Sequence, residues 1–202
     1  MVEKISLTDR LEILTQQIVR VKIYYDLWWF AHGPITGPSI EDTLNDFPTF
    51  FLFDKHAHFI GMLVHSAVVW DDGKKKISLP NISDEILDTK RFPEHSALKR
   101  EIDDLESHAK GLVVIRNNAI AHRSAYDNYE IVIKSAGVSL DDLPIMINSW
   151  LEAVNKLRAL IKPPLREMEF NPLPLGQLQD LIGRLGGPNL RPPSALDEIL
   201  RD

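Results

Sequence analysis

The chain contains no cysteine. Disulfides and thiolate metal sites are therefore excluded, and a reducing cytoplasm is the expected setting. A long uninterrupted apolar run is missing as well. The most apolar stretch, residues 47–70, is broken by Asp54, Lys55, His56, His58 and His65, so no membrane span is expected. The opening "MVEKISLTDRLE" is charged and has no apolar signal core. There is no surplus of positive charge. The net charge is −6, which argues against a broadly basic nucleic-acid binder and leaves room only for a local basic patch. Internal repeats and low-complexity blocks are absent. Strand signals are sparse: "YEIVIKSAGVSL" could form one strand, with nothing evident to pair with it.

What is present is helical. The 202 residues are 44% hydrophobic and 26% charged, which suits one domain with an appendage or two small domains around a real core. Ser6 and Asp9 form a capping pair, each side chain able to take a free N–H of the first turn. Leu7, Leu11, Leu14, Ile18, Val21 and Tyr25 then recur at spacings of three and four, one face of an amphipathic helix. "GPITGP" ends it, because two Gly-Pro pairs remove donors and fix the backbone. Asp46 and Pro48 open a second helix running to about Trp70. A short helix is expected near residues 83–88, a long one from Pro93 and Glu94, and another after Ser139 and Asp142.

Beyond Lys162 the composition changes: seven of the 13 prolines lie between Pro163 and Pro193. "LGQLQDLIGRL" is a short amphipathic piece among them. The expected organisation is a helical body over residues 1–162 and a Pro-rich tail with a short helix over 163–202, the tail packing on the body or on a partner. The expected fold is all-α, an antiparallel bundle of four to five helices.

The stretch "VVIRNNAIAHRSAYDNYE", residues 113–130, does not fit a plain core helix. Arg116, Asn117, Asn118, His122 and Arg123 fall within eight positions, and no Asp or Glu occurs from Ala109 to Tyr126. On an ideal helix the six positions from Arg116 to His122 give about 600° of rotation and roughly 9 Å of rise. The two side chains therefore lie along different stripes. They converge if the helix ends near His122, or if a second copy of the helix packs against it, as a two-fold dimer would arrange.

Arg116-Asn117-Asn118-Ala119-Ile120-Ala121-His122 resembles the R-x(4–6)-H motif of HEPN domains (higher eukaryotes and prokaryotes nucleotide-binding), and the long first helix ending in aromatics is most similar to the abortive-infection U-type branch. The resemblance covers roughly residues 6–161. It implies a metal-independent endoribonuclease that needs no cofactor, a toxin or phage-defence effector, working as a homodimer with its cleft at the interface and an antitoxin protein as a further partner. The residue types suit that chemistry. RNA carries its own nucleophile, the 2′-OH. A neutral imidazole with a pKa near 6.5 can take its proton, and the charged form can protonate the leaving oxygen. A guanidinium can hold the phosphate with two prongs and stabilise the developing charge. Arg116 and His122 are thus the expected catalytic pair, with Asn117 orienting substrate or His122. Asn118, Arg123 and Lys110 are the expected RNA contacts. Some HEPN toxins carry a tyrosine two positions after the His, where an antitoxin modifies it; here Ser124 occupies that position, which puts that form of control in doubt. The bland alternative is a surface ion pair at Arg116 and a helix end at His122.

Three other features compete for attention. Asp54, His58 and His65 fall at offsets of zero, four and eleven, within about 40° of one helix stripe. They are read as a metal site of a hydrolase, as a satisfied polar seam, or as a stripe bordering the Arg116 cleft with His65 in support. Tyr24, Tyr25, Trp28, Trp29 and Phe30 are read as core or dimer contact ahead of a base-stacking platform. Residues 73–100 hold seven Lys or Arg against four acids and form either a basic track for phosphates or a solvated loop. The rival to the ribonuclease is a catalytically inactive HEPN-like module for helical interaction or nucleotide binding.

Overall fold

A computed structural model describes residues 5–34, 36–71, 73, 76–87, 92–117, 136–139 and 141–188. The protein is all-α, as the periodicity predicts. Among the described residues there are seven α-helices, one 3-10 turn and no strand. In chain order they are α1 (Leu7–His32), α2 (Gly37–Asn45), α3 (Pro48–Val69), α4 (Leu79–Ile86), the 3-10 turn Pro93–His95, α5 (Ser96–Arg116), α6 (Leu143–Leu160) and α7 (Leu173–Arg184). Six of the seven lie before residue 163, one more than the four to five expected; the addition is α2, while α7 is the short helix expected in the Pro-rich tail. The segment proposed as a strand falls mostly outside the described residues; its described end, at Ala136 and Gly137, is a turn with Gly137 at φ 67°.

By compactness the chain divides into two units. One comprises Met1–Val19 and Leu63–Glu169, the other Arg20–Met62 and Phe170–Asp202. The divisions fall inside α1 and inside α3.

In the first unit, α1 starts as its sequence dictates. Ser6 Oγ accepts from the Asp9 N–H at 3.1 Å and donates to Asp9 Oδ2 at 2.7 Å, so Ser6 caps one free N–H of the first turn and the Asp9 carboxylate takes the Ser6 hydroxyl instead of the second N–H the capping pair was expected to cover. Leu11, Leu14 and Ile18 are fully buried, the first half of the predicted stripe. α4, α5 and α6 pack on one another. They bury Leu79, Ile82, Ile102, Leu112, Ile147 and Val154. Trp150 is fully buried with its ring 5.8 Å from that of Trp70. Arg158 is the polar key of this unit. Only 2% exposed, it holds Glu12 at 2.9 Å, donates to Thr15 Oγ1 at 3.2 Å, and gives two further bonds to the Arg166 carbonyl at 2.7 and 2.9 Å. A buried guanidinium needs such a full set of partners to offset its desolvation. Asn155 adds a reciprocal amide pair with the backbone of Met168, so residues 163–169 are tied along α6.

The second unit is built on the aromatic end of α1. Tyr25, Trp28, Trp29 and Phe30 are all buried; Tyr25 stacks on Trp29 at 5.7 Å and Trp28 meets Phe59 of α3 at 5.6 Å. These rings are core, and none of these four is free to stack a base. Tyr24 lies against α3 too, close enough that a Cβ on Gly61 would touch its ring at 3.0 Å. α7 brings Ile182 into a cluster with Phe30, Ile40 and Phe51, with Leu44, Leu175, Leu178 and Leu185 around it. A Schellman stop ends α7: Gly186 adopts φ 90°, and the Gly187 N–H bonds the Ile182 carbonyl at 3.0 Å.

Candidate functional site

α5 carries the described half of the motif. At about 100° per residue, Ile102, Ala109 and Leu112 fall on one face, and Arg116 falls between Ala109 and Leu112 on that same face. The first three are buried, so Arg116 continues the core-facing stripe to the helix end. Its side chain is accordingly half-buried, and Nε is enclosed with no hydrogen-bond partner among the described residues. A guanidinium enclosed at Nε still has its two terminal nitrogens with which to hold an anion. Asn117 is different. It caps the helix in helical geometry, its N–H reaching the Val113 and Val114 carbonyls, and its side chain is exposed.

Lys110 lies one heptad before Asn117, so the two share an exposed face of α5. Lys110 is ion-paired with Glu106 at 3.1 Å, which reduces its value as a free phosphate contact. Asn118, His122 and Arg123 lie outside the described residues. After them the chain returns to α5. Gly111 is in close contact with Val138: a Cβ built on Gly111 would overlap Val138 Cγ2 and stand 3.1 Å from the Ala136 carbonyl. Ala136 and Val138 thus lie against α5 at Gly111. The sequence reading passed over Gly111. A glycine inside an otherwise apolar helix costs about 1 kcal/mol relative to alanine, and that was the available signal.

His65, proposed as a supporting group, is half-buried and bonds Gln17 of α1 through Nδ1 at 2.6 Å. Asp54 and His58 pair with each other at 3.3 Å, and the His58 ring lies 6.0 Å from that of Tyr24. Among the described residues no three His, Asp or Glu side chains gather to hold a metal ion. The basic segment 73–100 is largely neutralised where it is described. Lys76 pairs with Asp71 at 3.7 Å, and Lys99 sits between Asp84 and Asp103 at 2.8 and 2.6 Å. Partial burial works against the Lys99 charge, but the two carboxylates outweigh it and its pKa is raised. Arg100 Nε donates to the Ser96 carbonyl at 3.3 Å.

An all-α chain whose long helix ends in Arg-Asn, with the remainder of R-x5-H following, is what a HEPN-type protein of abortive infection presents. The HEPN_AbiU2 family model, described as AbiU2, matches residues 4–169, and the chain belongs to that family. No curated protein and no solved structure matches it. No helix among the described residues is long and apolar enough to cross a membrane.

Proposed function

We propose that this protein is a metal-independent endoribonuclease that acts in the cytoplasm as a toxin or phage-defence effector. The observation that carries the reading is the placement of Arg116: on the core-facing stripe in the last turn of α5, half-buried, with Nε enclosed. Arg116 grips the scissile phosphate and stabilises its transition-state charge. His122 takes the 2′-OH proton and returns one to the leaving 5′ oxygen. Asn117, exposed beside Arg116, orients the substrate; Asn118, Arg123 and Lys110 contact the RNA backbone. A homodimer facing two motif helices across its axis completes the cleft, and an antitoxin protein restrains it.

The test is the chemistry of the product. Purified protein should cleave RNA in excess EDTA, leave a 2′,3′-cyclic phosphate on the 5′ fragment, and spare RNA bearing 2′-O-methyl groups at the cut site. A 3′-hydroxyl product rejects the mechanism. A second reading, an inactive HEPN-like module for interaction or nucleotide binding, is favoured by one observation: Lys76, Lys99 and Lys110 already have carboxylate partners. Absence of any cleavage by a folded dimer would select it.

A further inference from the structure

In the second unit, α3 is apolar on two faces. Phe51, Phe59 and Met62 are buried on one of them. At about 100° per residue, Phe50, Phe53, Ala57 and Ile60 fall within about 80° of one another on the opposite side. There Phe50 is 59% exposed and Phe53 68%, Ala57 is exposed, and Ile60 is half-buried. Phe47, three residues before Phe50, is 45% exposed. A helix with two apolar faces calls for burial on both. A bilayer does not answer that need. α3 is not long and apolar enough to span one. A helix lying in a membrane surface carries a rim of Lys and Arg, whereas residues 47–60 hold one cation, Lys55, and one anion, Asp54.

The stripe has the size of an interface core. At about 150–250 Å² for a whole phenylalanine, the exposed fractions of Phe47, Phe50 and Phe53 leave about 300 Å² in water. Two such surfaces pressed together hide about 600 Å², more than a third of the roughly 1,600 Å² that a stable protein–protein contact buries. Ala57, Ile60 and the polar positions beside them add to it.

The order of residues along the stripe suits a copy of itself. Run antiparallel about a two-fold axis midway between Phe53 and Ala57, it sets each Phe53 over the partner's Ala57 and each Phe50 beside the partner's Ile60. Large then meets small, and the symmetry makes each contact occur twice. Charge permits the approach as well. The chain carries −6 overall, but Asp54 and Lys55 cancel within residues 47–60, so two acidic copies meet here without like-charge opposition.

We propose that a second copy of this chain seats on the Phe50, Phe53, Ala57 and Ile60 stripe of α3, antiparallel about a two-fold axis. The contact is separate from the one proposed at Arg116, which lies on α5, and it holds whether or not the protein cleaves RNA.

The test uses the full-length chain. Sedimentation equilibrium should give an even number of chains per particle. Phe53→Glu should halve that number, from two to one, or from four to two if the motif helices also pair. Phe53 is exposed, so the change opens no cavity, and circular dichroism checks that the variant folds. The absence of native cysteine allows a second reading. A short bismaleimide should join two Ala57→Cys chains, and Phe53→Glu in the same chain should prevent the link. A folded Phe53→Glu chain of unchanged mass would overturn the proposal, and a dimer held only at the motif helices would give that result. So would Ala57→Cys chains that stay single, or a monomeric parent that floats instead with phosphatidylcholine vesicles.

Discussion

Val138 closes over the bare Cα of Gly111, five residues before Arg116 on the same helix. Gly111→Ala sets two effects against each other. Alanine gains about 1 kcal/mol of helix propensity. Overpacking against a fixed backbone carbonyl and a β-branched side chain costs about 1–3 kcal/mol. The clash should win, with a net loss of about 1 kcal/mol by urea denaturation and a fall in RNA cleavage. Val138→Ala in the same chain should recover both. A Gly111→Ala protein as stable and as active as the parent would show that the contact is slack.

Arg116→Ala and His122→Ala should each abolish cleavage and growth inhibition. For Arg116 the melting temperature should barely change, since the truncation also removes an enclosed N–H that has no partner among the described residues. Arg116→Lys should not rescue, because an ammonium lacks the two-pronged fork. A chain that unfolds on Arg116→Ala would reassign the residue to structure.

The buried Arg158 should behave in the opposite way. Arg158→Ala discards its bonds to Glu12, Thr15 and the Arg166 carbonyl and opens a cavity, so a loss of about 3 kcal/mol is expected. Glu12→Ala should cost less, because Glu12 is 36% exposed and water can reach the vacated edge. Differential scanning calorimetry orders the two. Equal losses would mean that the pair, and not the carbonyl bonds, dominates.

Acid stability should report on His32. Burial holds its imidazole down to about 4, the nearby charge of Lys55 and that of His58 add to the effect, and Asp54 opposes it. The unfolded chain takes up this proton near 6.5 and the folded chain only near 4, so stability should fall as pH drops across that window. Asp26 has the opposite sign. Its pKa is raised by burial against the pull of Lys22, so its proton uptake favours the folded state in acid. His32→Gln should flatten the decline of melting temperature between pH 6.5 and 4. An unchanged slope would show that His32 is hydrated in solution.

Much of the helical content was legible because it is written locally. The Leu11, Leu14, Ile18, Val21 and Tyr25 stripe is fully buried at every position. Pro48 and Ser6 mark real helix starts. α2 was missed because "GPITGP" was read only as a breaker, although Pro38 sits in a first turn where a missing N–H costs nothing. α7 was legible as an amphipathic piece, but its partners Phe30, Ile40 and Phe51 lie more than a hundred residues away and leave no local trace. The basic count over residues 73–100 could not show how its charges are paired for a similar reason: Asp103, which pairs with Lys99, lies outside the window counted. Arg116 was picked out by its motif, whereas its half-buried placement depends on the phase of α5 relative to Ala109 and Leu112.

Both units are assembled from separated stretches of sequence, and synthesis on the ribosome runs in one direction only. Phe30, Ile40 and Phe51 emerge early, while the Ile182 that seals them is made more than a hundred residues later. At about 5–20 residues per second that interval is on the order of ten seconds. During it the nascent protein carries an unsealed aromatic surface, a ready substrate for a chaperone. Sealing of that surface is therefore tied to synthesis of the stretch Leu173–Arg184.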